Sequence, residues 1–170
     1  MTLKNGARST LGTQKKKKRR KRRTKSTRRS LMDRLDKLCS YWIRAKYIQP
    51  DGTVPCSTCD KSYPLSKMQC GHFMSRRYKN TRYHPFNISP QCMGCNMFAE
   101  GRQWLLGRWI DKEHGEGVAE NMYKLSRTPS RLSLQDLHEF ERQYEERLRE
   151  TLTEDKQSLI PNRWYADVQP

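Results

Sequence analysis

The chain has 170 residues, of which 34% are apolar, and its 35 Lys and Arg against 18 Asp and Glu give a net charge of +17. That length suits one ordinary domain with tails, and the low apolar content argues against two full-sized cores. No apolar run is long enough for a membrane span or for the hydrophobic stretch of a secretory signal, so the expectation is a soluble, cytoplasmic protein.

The excess charge sits at the N-terminus. Residues 1–30 hold 14 basic residues and no acid, leaving 21 basic and 18 acidic residues for the rest of the chain. Nine consecutive cations, Lys15, Lys16, Lys17, Lys18, Arg19, Arg20, Lys21, Arg22 and Arg23, repel one another and have nothing to bury. The expectation is a disordered polybasic tail over 1–30 that binds DNA; the alternative is a solvated solubility tail. At about 8 contacted phosphates, binding would fall with a log-log salt slope of about −7, independent of base sequence.

Order is expected over 31–153, with 154–170 as a C-terminal tail. Ser30 with Asp33 reads as a capping pair, after which Leu31, Leu35, Leu38, Trp42 and Ile43 recur at helical spacing to about Lys46. Cys39, beside that stripe, reads as a small buried hydrophobe. Pro50, Asp51 and Gly52 end the element. From Thr53 to about Gln91 the pattern is short and extended, with too few large apolar side chains to hold itself together by burial. Helical character returns near Met93 and continues through Phe98, Trp104 and Trp109 to about Glu113, with His114 and Gly115 as its end. A shorter helix through Val118, Met122 and Leu125 follows. Ser133 with Asp136 forms a second capping box, opening a helix whose apolar stripe is Leu134, Leu137, Phe140, Tyr144, Leu148 and Leu152.

The extended stretch carries its own staple. Cys56-Ser-Thr-Cys59 and Cys92-Met-Gly-Cys95 are two C-x-x-C knuckles separated by 32 residues. Four thiolates at about 2.3 Å close a tetrahedral Zn²⁺ shell and leave no position for substrate, so the expected zinc is structural. The alternative, two reduced pairs or a redox dithiol, lacks the strand and helix pattern of a thioredoxin. Cys70 is a surplus thiol.

The segment between the knuckles concentrates the remaining chemistry. Gln69, Cys70, Gly71 and His72 lie on an extended stretch, followed by Arg76, Arg77, Lys79 and Arg82, then Asn87, with Asn96 directly after the last knuckle. Closing the loop with zinc is expected to bring His72 back against the start of the helix carrying Asn96. A neutral imidazole to deprotonate water, an oxygen donor for a divalent ion and a helix N-terminus facing an anion together suit phosphodiester hydrolysis. Arg76, Arg77 and Arg82 are candidate phosphate contacts, and His84 reads either as a phosphate contact or as an ordinary exposed histidine.

With His72, Asn87 and Cys92-Met-Gly-Cys95-Asn96 in order, the chain resembles the HNH, or ββα-metal (His-Me finger), nucleases. More narrowly, QCGHFMSRRY, TRYHPFN and QCMGCNMF resemble the phage NinG/Rap recombination family over about residues 31–150. C-x-x-C-N followed by Glu100-Gly101 is also similar to phage recombination endonuclease VII. The resemblance implies an α+β, mainly helical fold, with a zinc-stapled ββα-metal unit flanked by helices. It implies a phage endonuclease acting on branched DNA such as Holliday junctions and D-loops, in the bacterial cytoplasm and alongside recombination proteins. Carried over by position, His72 is the general base, Asn96 a ligand of a catalytic Mg²⁺ or Mn²⁺, and Asn87 the brace of the loop holding the histidine. Many HNH enzymes have an Asp ligand directly before the histidine; here that position is Gly71, and Glu100 is the candidate to compensate. The competing readings are a general HNH nickase or homing-type endonuclease, and a non-catalytic zinc-containing DNA-binding protein. Two cuts per junction make a two-fold homodimer mechanically attractive.

Overall fold

The computed structural model describes residues 27–167; the Lys15–Arg23 run lies outside them. The architecture is mostly helical α+β, with two small sheets. Helix α1 (Thr27–Lys46) is already helical at Thr27, so Ser30 lies inside it rather than capping it. Arg28 and Arg29 are good helix formers, and nothing in that turn breaks the run. One face buries Leu31, Leu35, Leu38, Cys39, Trp42 and Ile43.

Two antiparallel hairpins follow. Strands β1 (Thr53–Pro55) and β2 (Ser62–Pro64) enclose the first cysteine knuckle, whose turn uses a left-handed Asp60 (φ 55°). Strands β3 (Met68–His72) and β4 (Ile88–Cys92) pair in continuous register, from Met68 opposite Cys92 to His72 opposite Ile88, with no bulge. Side chains along β3 therefore alternate strictly between two faces.

The single helix expected from Met93 to Glu113 is broken. A π-helical turn (Gly94–Phe98) gives way to Glu100 (φ 50°), Gly101 (φ 79°) and Arg102 (φ 47°). Only then does α2 (Gln103–His114) begin, closing at Gly115 (φ 112°). Left-handed backbone at Glu100 and Arg102 costs about 1 kcal/mol or more for each residue. Part of this is offset where the buried Gln91 donates from Nε2 to the Gly101 carbonyl at 2.8 Å. Helix α3 (Val118–Arg127) then packs on α2 through Leu106, Ile110 and Ala119.

Helix α4 (Leu134–Thr151) opens with the expected box. Asp136 N–H donates to Ser133 Oγ at 3.0 Å, and Ser133 N–H donates to Asp136 Oδ2 at 2.7 Å. Leu137, Tyr144 and Leu148 are buried against α1, with Trp42 and Tyr144 meeting edge to face at 5.6 Å. The segment after Leu152, expected to be disordered, folds back. Helix α5 (Asn162–Ala166) buries Trp164, which stacks on Tyr41 at 4.1 Å. One buried aromatic in a polar stretch anchors it, a signal too small for periodicity to register. No described helix is long and apolar enough to cross a membrane.

Leu148 has no accessible surface in this core. Leu148→Ala should cost about 2–5 kcal/mol through lost transfer energy and a residual cavity. Urea titration followed by tryptophan fluorescence measures it, with zinc content unchanged.

Candidate functional site

The two knuckles close on one another. The Sγ atoms of Cys56, Cys59, Cys92 and Cys95 all lie within 4.8 Å of one another. A tetrahedral shell with Zn–S bonds of about 2.3 Å separates its sulfurs by about 3.8 Å, so the four thiols fit a zinc ion after small adjustments. Cys56, Cys92 and Cys95 are buried. The Cys92 N–H points at Cys56 Sγ (3.3 Å), and Thr58 Oγ1 lies 3.5 Å from the same sulfur. Burial pushes the Cys56 thiol up, but the Thr58 hydroxyl and the Cys92 and Thr58 amides outweigh it and bring it down to about 7. Burial holds Cys59 and Cys95 above the ordinary thiol range. A cation at the centre reverses that by replacing all four protons. Ser57 N–H donates to Pro90 O at 2.9 Å and its hydroxyl lies 3.1 Å from Ser89 Oγ, so the first knuckle is fastened to β4 through its backbone as well as its sulfurs.

Asn87 is fully buried just before β4. Its Oδ1 accepts from Met74 N–H (2.6 Å) and its Nδ2 donates to Met74 O (3.0 Å). Its own carbonyl accepts from Phe73 N–H at 2.8 Å. These three bonds hold the two residues that follow His72 and fix the end of β3.

His72 is the last residue of β3 and is partly exposed. Burial and then the Arg76 guanidinium push its imidazole down to about 4, opposed in part by Asp36, so it is neutral at pH 7. Asp36 is a residue that sequence reasoning missed. It receives Arg82 in a fork, Nε to Oδ1 at 3.2 Å and Nη2 to Oδ2 at 2.6 Å, while Arg76 Nη1 lies 3.5 Å away. Arg82 is thereby committed to a carboxylate, whereas Arg76 keeps most of its side chain in solvent. Arg77 is exposed and donates to Tyr78 Oη at 2.9 Å.

Asn96 lies elsewhere relative to the strand. Its Nδ2 donates to Gln69 Oε1 at 2.7 Å. With unbroken alternation, Gln69 and Gly71 share one face of β3, and Cys70 and His72 share the other. The Asp36–Arg82 neighbourhood of His72 comes from the α1 side, in keeping with this. The residue that Asn96 bonds, Gln69, therefore lies on the other face of β3 from His72. Glu100, the candidate to complete a divalent-ion shell, is exposed on the left-handed turn. Among the described residues, the Cys₄ cluster is the one grouping of three or more Cys, His, Asp or Glu donors within reach of a common ion. His84 caps the turn before Asn87 by accepting from Phe86 N–H (3.2 Å), and His138 pairs with Glu141 on the surface of α4.

Gly71 has a packing reason. A β-carbon there would lie 2.7 Å from Gln91 Cδ and closer still to Oε1. Gln91 fills this space and donates from Nε2 to Gly101 O and, at 3.1 Å, to Thr58 Oγ1. It links the zinc knuckle, the hairpin and the turn before α2. Gly71→Ala should cost about 1–3 kcal/mol by overpacking. In a Gln91→Ala background the same substitution should cost much less, a double-mutant cycle readable by thermal denaturation. Equal costs in both backgrounds would contradict the steric account.

No curated protein and no solved structure matches the chain. The family model described as bacteriophage lambda NinG protein matches residues 2–154, a span that contains both knuckles, His72, Asn87 and Asn96. The chain belongs to the NinG family of bacteriophage proteins.

Proposed function

We propose that this protein is a structure-selective DNA endonuclease of HNH type, cutting branched intermediates such as Holliday junctions and D-loops during phage recombination in the host cytoplasm. The observation that carries the reading is the β3–β4 hairpin, tied off by four cysteines and followed by a helical turn. It presents a neutral, partly exposed His72 beside the solvent-facing Arg76, with the backbone after His72 held by the buried Asn87. A neutral imidazole can accept a proton from water, and a guanidinium at its side can hold the phosphate that the water attacks. An arriving phosphodiester anion opposes Arg76 and raises the His72 affinity for a proton toward the working range. Asn96 and Glu100 are the residues proposed for Mg²⁺ or Mn²⁺, and no step is routed through that ion. The run Lys15–Arg23 supplies salt-sensitive affinity for DNA, and two cuts in one junction call for a homodimer.

The test compares a four-way junction, a flap and a linear duplex of matched sequence, with Mg²⁺ and Mn²⁺ titrated separately. Cutting confined to the branched forms supports the proposal, whereas equal cutting of the linear duplex supports a general HNH nickase. A specific observation favours the other reading, a zinc-stapled DNA-binding protein without catalysis. Asn96 bonds Gln69, which lies on the other face of β3 from His72, and Gly71 stands where an acidic ligand is expected. Tight binding with no cutting of any DNA in either metal would establish that reading.

A further inference from the structure

Helices α2 and α3 leave between them a cleft of about 600 Å³ that nothing in the hydrolytic reading uses. Phe73, the residue directly after His72, lies in it, and Gly107 makes room for the Phe73 ring: a β-carbon there would sit 3.2 Å from Phe73 Cε2. Two aromatic side chains line the same cleft and remain exposed, Trp104 at 77% and Tyr123 at 49%. Large aromatics left in solvent beside an apolar floor are uncommon unless a ligand covers them.

The surroundings indicate which ligand. Arg127 lies over the Tyr123 ring (4.8 Å) and the Tyr78 ring (5.4 Å), and Arg77 also lies over the Tyr78 ring, at 4.9 Å. Guanidinium and phenol groups thus alternate from Arg77 to Tyr123, and Tyr123 lines the cleft together with Arg108. Cations interleaved with exposed aromatics are the chemistry that binds single-stranded nucleic acid, with bases stacking and phosphates meeting the arginines. Both acids in the cleft have partners. Asp111 is occupied in accepting the Ala119 N–H at 2.8 Å, and Glu120 is paired with Lys124 at 2.7 Å. An apolar floor with such groups suits a neutral heterocycle better than a phosphate.

We infer that the α2–α3 cleft binds an unpaired base of DNA by stacking on Trp104 and Tyr123. This rests on the DNA-binding half of the function proposed above and is independent of whether the protein cuts. It gives selectivity for branches a physical basis, because bases at a branch point unstack more readily than those of a linear duplex.

The experiment measures binding by the full chain, without divalent ions, of a fluorescein-labelled thymidylate 12-mer, an abasic 12-mer of equal charge and a 12-base-pair duplex. Trp104→Ala and Tyr123→Ala should each weaken thymidylate binding by about 5- to 100-fold while changing duplex binding by less than about twofold. Trp104→Phe should retain most of the affinity, and the wild type should bind the abasic strand as weakly as the alanine variants bind thymidylate. Both side chains are exposed, so zinc content and helical circular dichroism should be unchanged. Equal affinity of the wild type for abasic and thymidylate strands would overturn the inference, as would a uniform loss for single strand and duplex. If Trp104→Ala instead converts a dimer to a monomer in sedimentation with no base-dependent loss, the cleft is covered by a second copy and the inference fails. Because nothing is cut in this assay, its outcome is separate from the cleavage test.

Discussion

Replacing Cys92 with serine should unfold the region between residues 53 and 102, not merely loosen it. Cys92 supplies a sulfur, ends β4 opposite Met68, and donates its N–H to Cys56 Sγ. A structural zinc contributes an apparent 10–16 kcal/mol, by analogy with about that range in zinc-finger peptides, and whole domains are stable by only about 5–15 kcal/mol. The buried apolar residues of that region besides the cysteines, Val54, Leu65, Met68, Met74, Tyr83 and Ile88, are too few to substitute for it. The α1–α4 pair, with Trp42, Tyr144 and Leu148, contributes helix-to-helix apolar contacts of its own to the same core. Circular dichroism should therefore show retained helix, while zinc content falls from one to none and proteolysis opens the hairpins. Chelation of the wild type should reproduce this, and zinc should reverse it. Full protection from protease in the zinc-free state would show that burial alone holds the hairpins.

Removing the His72 imidazole should reduce cutting by about 10²- to 10⁴-fold, the usual range for a general base, with DNA affinity and zinc content unchanged. His72→Ala and His72→Asn separate loss of the base from loss of packing, since asparagine retains polar volume. The pH dependence adds a second check. In the folded chain this histidine titrates near 4, below the value of about 6.5 in an unfolded chain. The unfolded state therefore binds the proton more readily, so the stability that His72 contributes is complete above about pH 6.5 and is lost as pH falls toward 4. His72→Asn should flatten that part of the stability curve. A variant that cuts at the wild-type rate would remove His72 from the mechanism and leave the site to another residue.

Much of this was legible in the sequence because it depends on short-range chemistry. The box at Ser133 and Asp136 needs only one turn of helix, and the Leu35, Leu38, Leu137 and Leu148 stripes follow from 3.6-residue spacing. The cysteine spacing announced a cluster, and the sulfurs do gather. What was not legible depends on pairing across distance. Gly71 reads as a missing ligand until Gln91, twenty positions later, is found filling the space against it. The break at Glu100–Arg102 had one sequence signal, Gly101, inside a run that otherwise reads as helix. The face on which His72 lies follows from the register of β3 against β4, and a shift of one residue would reverse it. Asp36, on α1, meets Arg82 through a contact spanning 46 residues, which no local pattern encodes.

If the four gathered sulfurs hold a single ion, both the hairpins and the position of His72 depend on it. Zinc-edge X-ray absorption on the full chain as purified tests this most directly. The account predicts one zinc per chain, surrounded by four sulfurs at about 2.3 Å, with no nitrogen or oxygen in the shell. A shell containing imidazole or water, or a folded chain carrying no zinc, would contradict it.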